Sequence, residues 1–230
     1  MTKIVNPYSY RLGVIRDWRS SWITKGAIKG KDFTKNLQGD VLVREFLVKK
    51  LRGKMIGEIE MERNQKAWKI IIPSARPGLI LGQKGEGVTD LKKQTEKFMR
   101  QHKIVAPQEL KIEITEIPQA EKNARVVGMM VAEGLEKRLP FRRVLKGTVE
   151  KVMANKDVLG VKIQLGGRLG GADMARIEFL KKGNIPLQTL RADIDFAREK
   201  AHMTYGVLGI KVWIYKGQIF SKKKLAKGNI

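Results

Sequence analysis

Cysteine is absent from the 230 residues of the sequence, and histidine occurs only twice. Disulfide bonds and thiolate metal sites are therefore excluded, which suits a reducing cytoplasm. Neither His102 nor His202 has a recognisable nucleophile or metal-ligand partner in the sequence. The N-terminus lacks the apolar stretch of about 7–15 residues that a signal peptide carries, and no segment approaches the roughly 20 apolar residues of a membrane span. We expect a soluble, cytoplasmic protein with no metal and no cofactor.

Acidic residues are scarce relative to basic ones. The chain has 47 Lys and Arg against 23 Asp and Glu, a formal net charge of +24. Residues 1–120 carry a net +11 and residues 121–230 a net +13, so both halves are basic. A surface this positive repels itself unless a polyanion offsets it, and nucleic acid offers closely spaced phosphates. The basic residues are interspersed rather than grouped beside one apolar helical face, which argues against a membrane partner.

The first 37 residues are rich in Gly, Ser and Lys and show no sustained hydrophobic period. They predict an extended basic arm over residues 1–37. Trp18 and Trp22 lie in this arm, and two interpretations of them stay open. Each ring could stack on a nucleic-acid base, or it could anchor the arm to the protein's own domain.

Residues 38–117 predict one compact α+β domain. Apolar residues at helical spacing predict a first helix over residues 39–52, with Asp40 as its N-cap and Gly53 as its stop. Two strands, a short helical turn, a tight loop, a long helix and a closing strand follow. The predicted order is therefore helix–strand–strand–helix–helix–strand.

Residues 118–218 predict a second α+β domain, with two helices packed on a mixed or antiparallel sheet. Pro140 separates the two helices, each of which has an apolar stripe. A strand, a short helix over residues 173–180 and two long strands complete the domain. Residues 219–230 form a basic tail that we predict to be disordered.

The most specific local pattern is Gly82-Gln83-Lys84-Gly85, between the short helical turn and the long helix. Glycines permit unusual backbone angles and remove the β-carbons that would keep an RNA strand away. The loop amides and the next helix N-terminus would face phosphates, and Lys84 would add a charge. A GxxG sequence alone also occurs in ordinary tight turns, but this position resembles the GXXG loop of a type II KH domain. Many KH loops have two basic residues there, whereas Gln83 replaces one.

A second basic feature lies on the helix after Pro140. Arg142, Arg143 and Lys146 fall within about 100° of one another around that helix, opposite its apolar stripe. An Arg guanidinium can donate two hydrogen bonds to a phosphate and can stack on bases, which suits single-stranded RNA. The alternative is an ordinary solvated face. We favour binding because Glu150 is the only acidic residue expected on that side to neutralise the cations.

Two further sets of residues have two interpretations each. Arg168 is flanked by Gly166, Gly167, Gly170 and Gly171, so the loop either brings Arg168 to RNA or is a purely structural turn. Asp193 and Asp195 share one face of a predicted strand. They could hold Mg²⁺ for phosphodiester cleavage, but an ion pair with Arg191 on the same face is the favoured interpretation.

Three stretches resemble the bacterial form of the third small-subunit ribosomal protein family. They are NPYSYRLGVIRDW from residue 6, ARPGLILGQKGEGV from residue 75, and the segment of residues 167–217 that begins GRLGGADMARIEFL. The resemblance implies a ribosome-bound, non-catalytic protein of the small-subunit head, with a type II KH domain that contacts ribosomal RNA. We include Arg11, Arg16 and Arg76 from the first two stretches among the RNA-binding candidates.

The resemblance also implies partners. The C-terminal domain of the family lines the channel through which messenger RNA enters, beside the fourth and fifth small-subunit proteins, and we transfer that role to Arg142, Arg143 and Lys146. Family members also contact the tenth and fourteenth small-subunit proteins. Two alternatives remain: a free KH regulator of selected messenger RNAs, and a Mg²⁺-dependent nuclease that uses Asp193 and Asp195.

Overall fold

The computed structural model describes residues 5–22, 31–64, 66–82, 85–104 and 109–220. The chain divides into two compact units. One is Arg19–Pro118, here called the KH unit. The other joins Met1–Trp18 to Gln119–Ile230 and is called the C-terminal unit. No helix in the described part of the chain is both long enough and apolar enough to cross a membrane.

The predicted extended arm over residues 1–37 differs from the structure. Residues Pro7–Tyr10 form helix α1, which Asn6 caps by accepting a hydrogen bond from the Tyr8 amide at 3.0 Å. Ser20–Trp22 form strand β1, and helix α2 begins at Lys31. The first two elements are too short to produce a hydrophobic period, so the sequence pattern could not reveal them.

The KH unit has a four-stranded sheet in the order β1-β2-β3-β4. The β1–β2 and β3–β4 pairs are parallel and the β2–β3 pair is antiparallel. Buried residues alternate strictly along β3, as expected for a strand with one face in the core. The predicted α+β element order is confirmed, and β1 is an addition to it. The elements are α2 (Lys31–Lys50), β2 (Glu60–Arg63), β3 (Ala67–Ser74), α3 (Gly78–Leu81), α4 (Glu86–Gln101) and β4 (Glu109–Glu116).

Asp40 is not the N-cap of α2 but lies inside the helix, where it is only 1% exposed. Its carboxylate accepts hydrogen bonds from Trp22 Nε1 at 2.9 Å and from the Arg63 guanidinium at 2.6 Å. The Arg63 guanidinium in turn lies 3.8 Å from the centre of the Trp68 ring. A buried carboxylate is tolerated only when paired in this way. Trp22 therefore anchors its segment to the KH unit, as the second interpretation predicted.

The C-terminal unit is a four-stranded antiparallel sheet, in the order β6-β5-β8-β7, with two helices on one face. The main core lies between the helices and the sheet and includes Val131, Leu145, Ile163 and Val212. The predicted α+β architecture is confirmed. The elements are α5 (Ala124–Glu136), α6 (Phe141–Met153), β5 (Gly160–Gly167), β6 (Arg176–Gly183), β7 (Ala192–Met203) and β8 (Gly206–Gln218).

The short helix predicted over residues 173–180 is wrong, because Arg176–Gly183 form strand β6. This strand pairs only with β5 and lies at the edge of the sheet. Seven of its eight residues are exposed, so burial does not alternate along it. The sequence pattern of a half-buried strand was therefore missing.

Candidate nucleic-acid interface

The two outer glycines of the predicted GXXG loop lie between α3 and α4. Gly82 ends α3, and its amide donates to the Gly78 carbonyl at 3.1 Å. Gly82 and Gly85 have φ angles of +68° and +81°, in the region that disfavours residues with a β-carbon. Gly85 occupies the N-cap position of α4. Gln83 and Lys84 lie outside the described residues.

A third glycine, Gly87, fixes how closely α4 approaches α3. A β-carbon placed on Gly87 would lie 2.3 Å from the Ile80 carbonyl oxygen and 2.8 Å from that of Leu81. Any other residue would therefore push the two helices apart. Gly87 was not among the predicted site residues, although a third glycine so close to the GXXG pair is a signal for it.

The surface beside this loop is partly basic and partly apolar. Arg76 precedes α3 and is exposed, while its backbone amide donates to the Ser74 hydroxyl at 3.1 Å. Leu79 and Leu81, on α3 itself, are 55% and 39% exposed. Exposed apolar side chains beside such a loop can contact bases while the backbone binds phosphates. The two leucines were not among the predicted site residues.

The basic ridge (Arg142, Arg143 and Lys146) lies on the exposed side of α6. Leu145, Thr148, Val149 and Val152 are buried on the opposite side of the helix. The Arg142 side chain is 78% exposed. The three cations are thus displayed on a helix whose position is fixed by the core of the unit.

Strand β6 supplies further charges beside the ridge. The Glu178 carboxylate lies 3.7 Å from Arg142 Nε and 3.1 Å from Arg176 Nε. The guanidinium carbons of Arg142 and Arg176 lie 5.6 and 5.7 Å from the centre of the Phe141 ring. The expectation that Glu150 is the only acidic neighbour is therefore wrong, since Glu178 is another.

A groove of about 430 Å³ separates α6 from β6. Its floor includes Leu145 and Val149, and Lys146 and Lys182 are among the cations that line it. Sequence reasoning missed the basic residues of β6 because that segment was predicted to be a helix. With the strand in place, they extend the cationic surface of the ridge.

Arg168 binds its own loop. Its Nε donates to the Ala172 carbonyl at 2.9 Å, and its guanidinium contacts the Asp173 carboxylate at 3.1 Å. Gly170 and Gly171 have φ angles of +69° and +82°, which the tight loop requires. These contacts favour the structural turn over the RNA contact as the interpretation of this loop.

Arg11 is a structural residue rather than a surface cation, contrary to the prediction. It is 0% exposed, and its guanidinium donates to the carbonyls of Pro7, Leu187, Thr189 and Ala192 at distances of 2.7–3.0 Å. Burial lowers its pKa below the ordinary value. A guanidinium enclosed by backbone carbonyls has no surface to offer a phosphate.

Arg16 forms an ion pair with Asp193 at 2.5 Å, and its side chain is 27% exposed. The predicted pairing of the two aspartates with Arg191 is therefore wrong. Asp195 instead contacts Lys216 at 3.2 Å and accepts a hydrogen bond from the Ala124 amide at 3.1 Å. Burial raises the pKa of Asp195, but the charges of Lys216 and Arg16 with the Ala124 amide outweigh it and leave the pKa below its ordinary value.

The two aspartates are thus already neutralised by cations. The described residues contain no group of three or more His, Cys, Asp and Glu arranged to hold a metal ion. The remaining basis for a two-aspartate nuclease is removed by these pairings, because neither carboxylate is left facing an open site.

Comparison with known proteins agrees with the division of the chain into the KH unit and the C-terminal unit. A KH domain model matches residues 42–122, and a model described as ribosomal protein S3, C-terminal domain, matches residues 131–214. Three relatives are named small ribosomal subunit protein uS3. That of Photobacterium profundum is 40% identical, over 95% of this chain and 90% of its own. Those of Clostridium tetani and Hahella chejuensis are 41% and 42% identical, over 100% and 99% of this chain and 99% and 98% of theirs.

Proposed function

Because the chain belongs to the small ribosomal subunit protein uS3 family, we propose that it binds ribosomal RNA of the subunit head and helps line the channel through which messenger RNA enters. It is a structural, non-enzymatic constituent of the small subunit. The proposed contact with messenger RNA is supported by the basic ridge on α6. Its three cations are exposed, and the opposite side of the helix is buried.

Ribosomal RNA binding is assigned to the GXXG loop and Arg76 in the KH unit. The left-handed glycines let the chain turn into the start of α4, where backbone amides would bind phosphates. Lys84 would add its charge there, while Gln83 would contribute a hydrogen-bonding amide. Leu79 and Leu81 would contact the bases of the same strand, since they are exposed beside the loop.

The assigned partners follow the family. In this proposal the chain works in the cytoplasm on the small subunit, near the tenth and fourteenth small-subunit proteins, with the fourth and fifth beside the messenger channel. We assign no protein-binding surface to individual residues. A free KH regulator of messenger RNA remains the second candidate, because the KH unit contains a GXXG sequence between two of its helices.

Sedimentation separates these two candidates. Tagged protein in a cell lysate should sediment almost entirely with small subunits if the chain is a ribosomal constituent. A free regulator would instead remain mostly in the supernatant and would show a marked sequence preference for selected messenger RNAs. A large soluble pool would therefore contradict the ribosomal assignment.

The proposed RNA contact of the ridge can be tested by its effect on the salt dependence of RNA affinity. Replacing Arg142, Arg143 and Lys146 with Ala should reduce the log–log slope of single-stranded RNA affinity against salt by up to ~2 units, at ~0.7 per lost phosphate contact. The matched control replaces Lys92, Lys93 and Lys97 of α4, which removes the same charge from three other positions on a helix surface. An equal change in both variants would show that net charge, rather than the ridge, determines the slope.

A further inference from the structure

The sheet of the C-terminal unit has a second face, which the helices do not cover. Val161, Ile163 and Leu165 point into the core, so the alternate residues of β5, including Lys162 and Gly166, point the other way. One end of this second face is closed by a small buried cluster around Phe196 and Trp213. The end nearest the β7–β8 turn is not closed by that cluster, and we call it the open face.

The described strand residues of the open face include cations but no acidic residue. Strand register brings five basic side chains to it: Lys162, Lys181, Arg198, Lys200 and Lys211. None of the described strand residues that share this face, over 162–166, 177–181, 198–202 and 207–211, is Asp or Glu. Glu178 and Glu199 lie on these strands but point to the other side, where they pair with Arg142 and Arg125.

Aromatic and apolar side chains lie among these cations. Phe179 is 60% exposed, and Ile177 and Val207 are about half exposed. Lys162 Nζ lies 4.8 Å from the centre of the Phe179 ring and 5.2 Å from that of Trp213. The cation is therefore held beside the ring rather than extended into solvent. An exposed ring among cations on a sheet is a combination that binds unpaired nucleotides.

Two glycines leave a flat patch in the middle of the open face. Gly166 of β5 lies directly opposite Gly209 of β8. Neither has a positive φ angle, and a β-carbon would come no closer than 3.6 Å to Ile177 or 3.8 Å to the Gly166 carbonyl. Folding therefore does not require glycine at either position, although glycine weakens a strand. Close approach of a ligand is the remaining reason for such residues.

We infer that the open face is an additional RNA-binding surface, separate from the GXXG loop and from the ridge on α6. Its ligand is a stretch of unpaired nucleotides. A base stacks on Phe179, the sugar–phosphate backbone crosses the flat patch at Gly166 and Gly209, and Lys211, Arg198 and Lys200 neutralise the phosphates. The flat patch and the exposed ring favour RNA over an acidic protein, for which charge alone would suffice.

Glycine amides can test this surface directly. The full chain, labelled with ¹⁵N only at its 23 glycines, is titrated with an unstructured 20-nucleotide single-stranded RNA and followed by amide NMR. Gly166 and Gly209 report on the open face, and Gly82 and Gly85 report on the GXXG loop. We expect the Gly166 and Gly209 signals to shift saturably. Shifts at Gly82 and Gly85 alone would overturn this inference while supporting the proposed function. Shifts at Gly166 and Gly209 alone would support this inference and contradict the proposed RNA binding by the GXXG loop.

Substitutions provide a second measurement. In a chain that already lacks the three ridge cations, Phe179→Ala should weaken affinity for the same RNA by about fivefold or more, the lower bound for losing one base stack. Leu139→Ala is the control, since Leu139 is also exposed but lies between α5 and α6. Gly209→Val should fold, because valine favours strands, and should weaken binding similarly. Unchanged affinity in both folded variants, or equal glycine shifts with polyglutamate of matched charge, would overturn the inference.

Discussion

Arg11 provides the sharpest test of the fold, because the sequence and the structure give it different roles. As a surface cation it would contribute to RNA binding and little to stability. In the structure its guanidinium is the common donor to the carbonyls of Pro7, Leu187, Thr189 and Ala192. Arg11→Met keeps a long apolar stem and removes the donors, so it separates the two roles.

The expected loss can be worked from these four contacts. A buried carbonyl left without its partner costs about 1–3 kcal/mol. The Thr189 carbonyl keeps its hydrogen bond from the Ala192 amide at 3.1 Å. With water reaching some of the other three carbonyls, the total should be about 4 kcal/mol. For a chain of this length one kcal/mol lowers Tm by about 2–4 °C, so Arg11→Met should lower Tm by roughly 8–16 °C. Arg11→Lys should restore little of the lost stability, because one ammonium group cannot bind carbonyls that surround a planar guanidinium.

The assay is differential scanning calorimetry of the full chain, with RNA affinity measured on the folded protein at low temperature. Arg143→Met is the control: the residue is exposed on α6, and its loss should change stability by less than about 0.5 kcal/mol. If Arg11→Met left Tm unchanged and reduced RNA affinity instead, the structural role of Arg11 would be refuted.

Three other substitutions test contacts inside the two units. Asp40→Ala should lower the free energy of unfolding in urea by about 3–5 kcal/mol, because the Trp22 indole loses its acceptor and the Arg63 guanidinium loses its buried carboxylate, keeping the bond to Asn36 at 2.8 Å; a loss below about 1 kcal/mol would contradict the buried pair. Gly87→Ala should lower Tm and RNA affinity together, since its β-carbon would meet the Ile80 carbonyl at 2.3 Å, whereas Gly78→Ala, with no atom within 4 Å, should not. Asp195→Asn should destabilise the protein at neutral pH. Because folding lowers the pKa of Asp195 from about 3.8, this difference should persist above about pH 4 and shrink as the pH falls below that value; a pH-independent difference would exclude the charge as its cause.

Local patterns predicted the elements that are long and have one buried side. The α6 stripe was predicted because Leu145, Thr148 and Val152 recur at helical spacing, and all three are buried in the structure. The GXXG loop was found because its glycines separate two helical segments. In each case the relevant residues lie within a few turns of one another, so the sequence contains the whole pattern.

The missed features depend on residues far apart in the chain. The Asp40 carboxylate is buried because Arg63 and Trp22 converge on it from two strands. Strand β6 is defined by pairing with β5 rather than by its own burial. The acceptors of Arg11 are backbone carbonyls, which no side-chain pattern reports, and the farthest lies 181 residues away.

The two-part composition of the C-terminal unit sets an order for its folding during synthesis. Arg11 is translated 181 residues before Ala192, whose carbonyl it binds. Residues 19–118 can complete their own unit in the meantime, since that unit is one continuous stretch of the nascent chain. The Arg11 guanidinium therefore reaches its native acceptors long after the residue itself has been translated. A chain stalled before residue 192 must hold the Arg11 charge in water until synthesis resumes.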